Sequence, residues 1–175
     1  MLDLLLLRHA KSRWDEPGVD DHARDLAPRG LKAARRMGQL MREHGLVPDL
    51  VLCSTARRAR HTWQIVAEAL GGDVPTRFDD RLYLAAPDRM IAVAREQGGD
   101  ARRLLLVGHD PGMHRLAADL ATVGDAKLRE RLAAKFPTAG LAHLAIDAAL
   151  WAAFTGQPGR LLGFWRPRDL GVPGG

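Results

Sequence analysis

One cysteine, one tyrosine and four phenylalanines are all that these 175 residues hold of those types. With Cys53 alone, an intrachain disulfide is impossible and so is a zinc site built on several thiolates; this usage fits a reducing compartment. Scarce aromatics, none interleaved with a basic run, argue against nucleic-acid binding. So does the lack of any tract of five or more Lys or Arg, despite a net charge of +5. No stretch approaches the roughly 18 to 20 apolar residues of a membrane span. The opening run Leu2–Leu7 is interrupted by Asp3 and stopped by Arg8, and it lacks the basic start and cleavage site of a secretory signal. The expectations are a cytoplasmic protein with no nucleic-acid partner and no membrane partner.

Hydrophobic residues make up 46% and charged residues 27%, enough for a packed core without staples. The expected organisation is one domain over residues 1–167, monomeric, with a frayed Pro/Gly-rich tail over 168–175. Apolar runs at 2–7, 50–53, 74–78 and 103–107 alternate with helical patterns over 29–44, 54–70, 87–96, 111–122 and 125–135. Two closing strands are read at 141–146 and 161–165. The alternation predicts an α/β fold, a mostly parallel central sheet flanked by helices in three layers.

Three of the strands end in the same way. Leu2–Leu7 runs into Arg8-His9-Ala10, Leu50–Cys53 into Ser54-Thr55-Ala56-Arg57-Arg58, and Leu104–Val107 into Gly108-His109-Asp110. Each break lies between a strand and its following helix, so parallel strands bring all three to one sheet edge, where ligands of open sheets bind. A histidine supplies a nucleophile or base, and arginines supply fixed cations with a fork that fits phosphate oxygens. The grouping points to phosphate chemistry.

Those residues, in that order and spacing, resemble the histidine phosphatase (phosphoglycerate-mutase-like) superfamily. Leu7-Arg8-His9-Ala10-Lys11-Ser12 looks like its signature, Ser54-x-x-x-Arg58-Ala59-x-x-Thr62 like its second motif, and Gly108-His109 like its third. The short span between Arg58 and His109 is more similar to the bacterial phosphohistidine phosphatases of the SixA-like branch than to the mutases, which carry a long insertion there. Asp21–Gly30, with Arg24-Asp25-Leu26, also looks like that branch.

The resemblance implies His9 as nucleophile through a phosphohistidine intermediate, with Arg8, Arg58 and His109 binding the phosphoryl group. It implies no cofactor and no metal. Ser12 and His61 are further candidates for substrate contact, and Lys11, Asp110, His114 and Thr138 for the rim. Family spacing from Ser54 selects Arg58 over Arg57 and Arg60. The mutases use an acid, often Glu, from the region that here reads Asp79-Asp80-Arg81-Leu82-Tyr83. Asp79 or Asp80 would have to serve; alternatively no acid is needed, because phosphohistidine carries a proton on its own leaving group. The expected substrate is a phosphohistidine protein, with a small phosphorylated metabolite as the alternative.

Other chemistries fit less well. A cysteine-phosphatase loop needs Arg six positions after the nucleophile, and Ala59 stands there relative to Cys53. His109 and His114 are five apart around Pro111-Gly112, which is not a same-face helical metal pair. A non-catalytic phosphate-binding module would have lost the nucleophile or the clamp, and both residues are present.

Overall fold

The apolar run after Met1 becomes the middle of a sheet because both of its faces are covered. In a computed structural model that describes residues 1–173, β1 (Leu2–Arg8) pairs in parallel with β4 (Arg103–Gly108) and antiparallel with β6 (Leu141–Ile146). Leu4 and Leu6 pack into one hydrophobic cluster, Leu5 and Leu7 into another, and all four are fully buried. A strand covered on both faces reads as a continuous apolar run rather than an alternation. Burying each leucine stabilises the fold by about 1.5–3 kcal/mol.

β2 (Leu50–Ser54) joins β4 and β3 (Thr76–Asp79) in parallel; β7 (Gly159–Trp165) lies antiparallel to β6 and parallel to β5 (Ala121–Gly124). Among the described residues seven strands therefore form one sheet, in the order β3-β2-β4-β1-β6-β7-β5. The helices α1 (Pro28–Glu43) and α2 (Arg57–Leu70) cover the Leu5–Leu7 face with Ala34, Met37, Met41 and Val66. The opposite face carries α3 (Pro87–Gln97), α4 (Gly112–Leu120) and α5 (Ala126–Ala134), through Met90, Val93, Leu116 and Leu132. This is the expected three-layer α/β architecture. No helix of the described residues is long and apolar enough to cross a membrane.

Two local readings differ. The helix expected over 111–122 ends at Leu120, and Ala121–Gly124 becomes the edge strand β5. Its partner β7 lies nearly forty residues on, so local periodicity carries no trace of the pairing. The helix expected over 54–70 begins only at Arg57; its N-terminal cap position is Ala56, without a side-chain cap. The Ser54 hydroxyl is committed to His109, and Thr55 donates to Asp80 at 2.5 Å. Of residues 168–175, expected to fray, 168–170 belong to the 3-10 turn Pro167–Leu170, which Asp169 and Arg166 close, while residues 174 and 175 lie outside those described.

Candidate active site

The register of the sheet assembles the site. Arg8 stands opposite Gly108 across β1 and β4, and the His9 amide donates to the Gly108 carbonyl at 3.0 Å, so His9 and His109 leave the sheet side by side. Their rings lie 5.2 Å apart. Arg58 arrives on the first turn of α2. Thr62 ties that helix to the loop that carries His9: its hydroxyl donates to the Arg58 carbonyl at 2.6 Å and accepts from the Ala10 amide at 2.9 Å. A third support comes from the turn before β6, where the Ala139 amide donates to the Arg8 and His9 carbonyls.

Hydrogen bonds settle the state of both imidazoles. His9 Nδ1 lies 2.7 Å from the Ala10 carbonyl, which only accepts, so Nδ1 carries the hydrogen and Nε2 keeps a free lone pair. His9 is 7% exposed. Burial, with His109, Arg58 and Arg8 nearby, holds its pKa well below the usual 6.5. His109 is 2% exposed, and its Nδ1 accepts from Arg58 Nη2 at 3.3 Å. The Nε2–H of neutral His109 then donates to Ser54 Oγ at 2.7 Å. Burial first, and Arg58 second, lower the His109 pKa to about 3. A bound phosphoryl dianion would favour the protonated form by direct attraction.

Arg58 is also 2% exposed, and its guanidinium donates to the Asp21 carbonyl at 2.7 Å and to Asp21 Oδ2 at 3.1 Å. Arg8 Nη1 donates to the Phe136 carbonyl at 2.8 Å and lies 3.2 Å from Asp110 Oδ2, while its Nη2 has no hydrogen-bond partner among the described residues. Both Nε–H groups are buried without partners. Two guanidiniums with unspent donors, beside an imidazole with a free lone pair, form a receptor for a tetrahedral oxyanion. The residues enclose a cavity of about 390 Å³ with Arg8, His9, Arg58 and His109 at its floor. Lys11, Ser12, Asp110 and Thr138 line it too, as do Trp14, Asp21, Arg24 and Leu84.

The remaining sequence candidates fall elsewhere. Asp79 caps a 3-10 turn over Asp80–Leu82 and is bound by Arg81 and Gln97, which hold its carboxyl below the usual range. Asp80 accepts from Thr55. Neither is among the residues that line the cavity. His114 binds the Leu132 carbonyl at the end of α5, at 2.7 Å. His61 and Arg57 both pair with Asp25, at 2.6 and 3.0 Å, and Arg60 lies over Phe78. These three line a separate, larger groove of about 560 Å³. Asp25 already neutralises much of its charge, and none of the four residues with phosphate-binding geometry reaches it. Buried Cys53 has its thiol pushed far up by desolvation, so it forms no thiolate. No group of three or more His, Cys, Asp or Glu among the described residues is arranged to hold a metal.

Asp21 and Tyr83 escaped the sequence reading as site residues. Asp21 Oδ2 accepts from Tyr83 Oη at 2.5 Å as well as from Arg58, and Oδ1 accepts from Arg24. The Tyr83 hydroxyl, above all, holds the Asp21 carboxyl far below the usual range. The available signal was only the Asp21–Arg24 spacing in the loop before α1. Asp110 behaves oppositely: burial raises its pKa although Arg8 opposes the shift.

The buried neutral histidines predict acid sensitivity. A base whose folded pKa lies below its unfolded value takes up protons preferentially when unfolded. Its contribution is complete above pH 6.5 and is lost as pH falls toward about 3, the window set by His109. At about 1.4 kcal/mol per pKa unit, the loss from His109 is on the order of 5 kcal/mol. Urea unfolding of His109→Gln between pH 7 and pH 4 should show a flatter pH dependence than the parent protein. Parallel curves would contradict this assignment.

Comparison with known proteins agrees with the geometry. The family model described as histidine phosphatase superfamily (branch 1) matches residues 4–83. The chain is 42% identical over 164 residues to "Uncharacterized protein Rv1276c" of Mycobacterium tuberculosis, spanning 93% of this chain and 100% of that one. Two solved structures are similar nearly end to end. The putative phosphohistidine phosphatase SixA from Agrobacterium tumefaciens has a TM-score of 0.78 and 31% identity, with 95% of this chain and 98% of that chain covered. The corresponding SixA protein from Nakamurella multipartitia has a TM-score of 0.81 and 29% identity, covering 95% and 96%.

Proposed function

This chain belongs to the histidine phosphatase superfamily, and from that premise we propose that it removes the phosphoryl group from phosphohistidine on a protein. The observation that carries the reading is the His9 tautomer inside the Arg8–Arg58–His109 cavity. The free Nε2 lone pair attacks phosphorus in line, forming an N–P bond as the substrate's N–P bond breaks. The departing imidazole keeps the electron pair and the proton already on its other nitrogen. Arg8 and Arg58 hold the non-bridging oxygens, and His109 braces Arg58 by accepting from its Nη2. Water then attacks phosphorus, returning His9 and releasing phosphate. No metal is called for, since the guanidinium pair supplies the charge.

The carboxylates support the nitrogen-linked substrate. Asp79 and Asp80 are outside the cavity, and Asp21 is held ionised by Tyr83, Arg24 and Arg58, so none of them donates a proton to an alkoxide. Phosphohistidine needs no such donor. End-to-end similarity to the two SixA proteins supports the same choice.

Asp110 favours a second reading, a small phosphomonoester, because it lines the cavity and burial raises its pKa, the direction a general acid needs. Side-by-side kcat/KM values for a phosphohistidine peptide and a panel of sugar and nucleotide phosphates separate the two. The expected result is preference for the peptide, with Asp110→Asn changing its turnover by less than about tenfold. Loss of a general acid typically costs about 10²- to 10⁴-fold. Preference for an ester, with a loss of that size in Asp110→Asn, would overturn the phosphohistidine reading.

A further inference from the structure

The floor of the cavity is cationic, but its mouth carries two large apolar side chains that the phosphoryl chemistry does not use. Trp14 is 74% exposed and Leu84 is 55% exposed, and both line the same cavity as His9 and His109. Apolar side chains lining a pocket with a few convergent polar groups give a bound ligand its non-polar contact. Each is held in place by specific contacts.

Trp14 rests on a fixed base. The Arg24 guanidinium lies 3.6 Å from the centre of the indole ring system. Arg24 is itself anchored by Asp21 Oδ1, by Ser12 Oγ at 2.6 Å and by the Arg13 carbonyl at 3.2 Å. A cation stacked on one ring face holds the indole without covering the other.

Leu84 is presented by strained backbone. Its φ of +49° lies in the left-handed region that a leucine disfavours. Its neighbours explain why it stays there: Leu82 is buried in the core, Tyr83 donates to Asp21, and Ala85 presses against the start of α4. Gly112 makes that last approach possible, since a Cβ there would meet the Ala85 carbonyl oxygen at 1.8 Å. With both flanks fixed, the strain serves to hold one apolar side chain over the cavity.

One carboxylate joins these parts. Asp21 accepts from Arg24 beneath Trp14, from Tyr83 next to Leu84, and from Arg58 on the floor. The apolar rim and the cationic floor are thus set relative to each other before any substrate arrives.

We propose that Trp14 and Leu84 are specificity-determining residues that seat the ring attached to the phosphoryl group. The site would then take phosphoryl donors with an aromatic or heteroaromatic leaving group. This deepens the phosphohistidine reading, on which it rests, since imidazole is such a ring. A hydroxylated sugar placed between the two side chains would lose water without gaining hydrogen bonds.

Phenylphosphonate and methylphosphonate test the idea without turnover, because they share the dianion and differ in the ring. Calorimetry on the full chain should show tighter binding of phenylphosphonate, by about 3- to 10-fold, the scale of an aromatic contact. Trp14→Ala and Leu84→Gly should each reduce that preference while keeping the affinity for methylphosphonate within about twofold, since neither touches the cationic floor. Glycine at position 84 also accepts the positive φ, so the backbone is preserved. Equal affinity of the parent protein for both ligands would overturn the proposal. So would variants that weaken both ligands alike, or failure of either ligand to bind. Failure to hydrolyse phosphohistidine, with the ring preference intact, would overturn only the substrate reading.

Discussion

His9→Ala is expected to abolish turnover, by on the order of 10⁴-fold or more, the scale seen when a covalent nucleophile is lost. Alanine removes the imidazole whose Nε2 lone pair stays free in the cavity that Arg8 and Arg58 also line. The fold should persist. The imidazole makes one side-chain hydrogen bond, to its neighbour Ala10, whereas β1 is held by ladders on both sides. Circular dichroism and the urea midpoint serve as the check. Incubation of the parent protein with labelled substrate and rapid quenching should trap phosphate on His9, in the acid-labile and base-stable form of an N–P bond. The His9→Ala protein should trap none. EDTA should leave turnover of the parent protein unchanged. Wild-type activity in the variant, or activity that EDTA removes and a metal restores, would contradict the mechanism.

The second large effect separates three neighbouring arginines. Arg58→Ala should lower kcat/KM by about 10²- to 10³-fold, as loss of one preorganised charge-stabilising donor does. Arg57→Ala and Arg60→Ala should stay near the parent value, because those side chains face the outer groove, toward Asp25 and Phe78. Removing Arg58 leaves Asp21 with Arg24 and Tyr83 as partners and a half-exposed carboxylate, so no isolated buried charge is created. Steady-state kinetics of the three variants on one substrate give the ranking, and a reversed order would overturn the placement of the clamp.

Arg58 was singled out from Arg57 and Arg60 by the family resemblance alone, since the residues themselves left the three open. The leucines of β1 announced a doubly buried strand because an unbroken apolar run is a local signal. What stayed hidden depends on contacts between distant segments. Tyr83 meets Asp21 across 62 positions, and β5 acquires its partner only when β7 arrives. Asp79 and Asp80 carried the right chemical groups for an acid, but a 3-10 turn and Arg81 claim Asp79 while Thr55 claims Asp80. Asp110 stood in plain view beside His109, yet its raised pKa reflects burial that no linear pattern reports. The His9 tautomer is another such case, set by a carbonyl whose direction only the folded loop defines.

The place of β1 between β4 and β6 carries a consequence for how the protein is made. His9 is translated before β4 and β6, so its amide waits for the Gly108 carbonyl and the Arg8 amide for the Gly140 carbonyl. Such long-range pairings close late in folding. A nascent chain that stops short of β4 therefore exposes the His9 imidazole without that strand to position it or His109 to face it. Catalytic competence waits for β4 and β6 to emerge, and the appearance of turnover in a stalled-ribosome series would time the docking of the central strands.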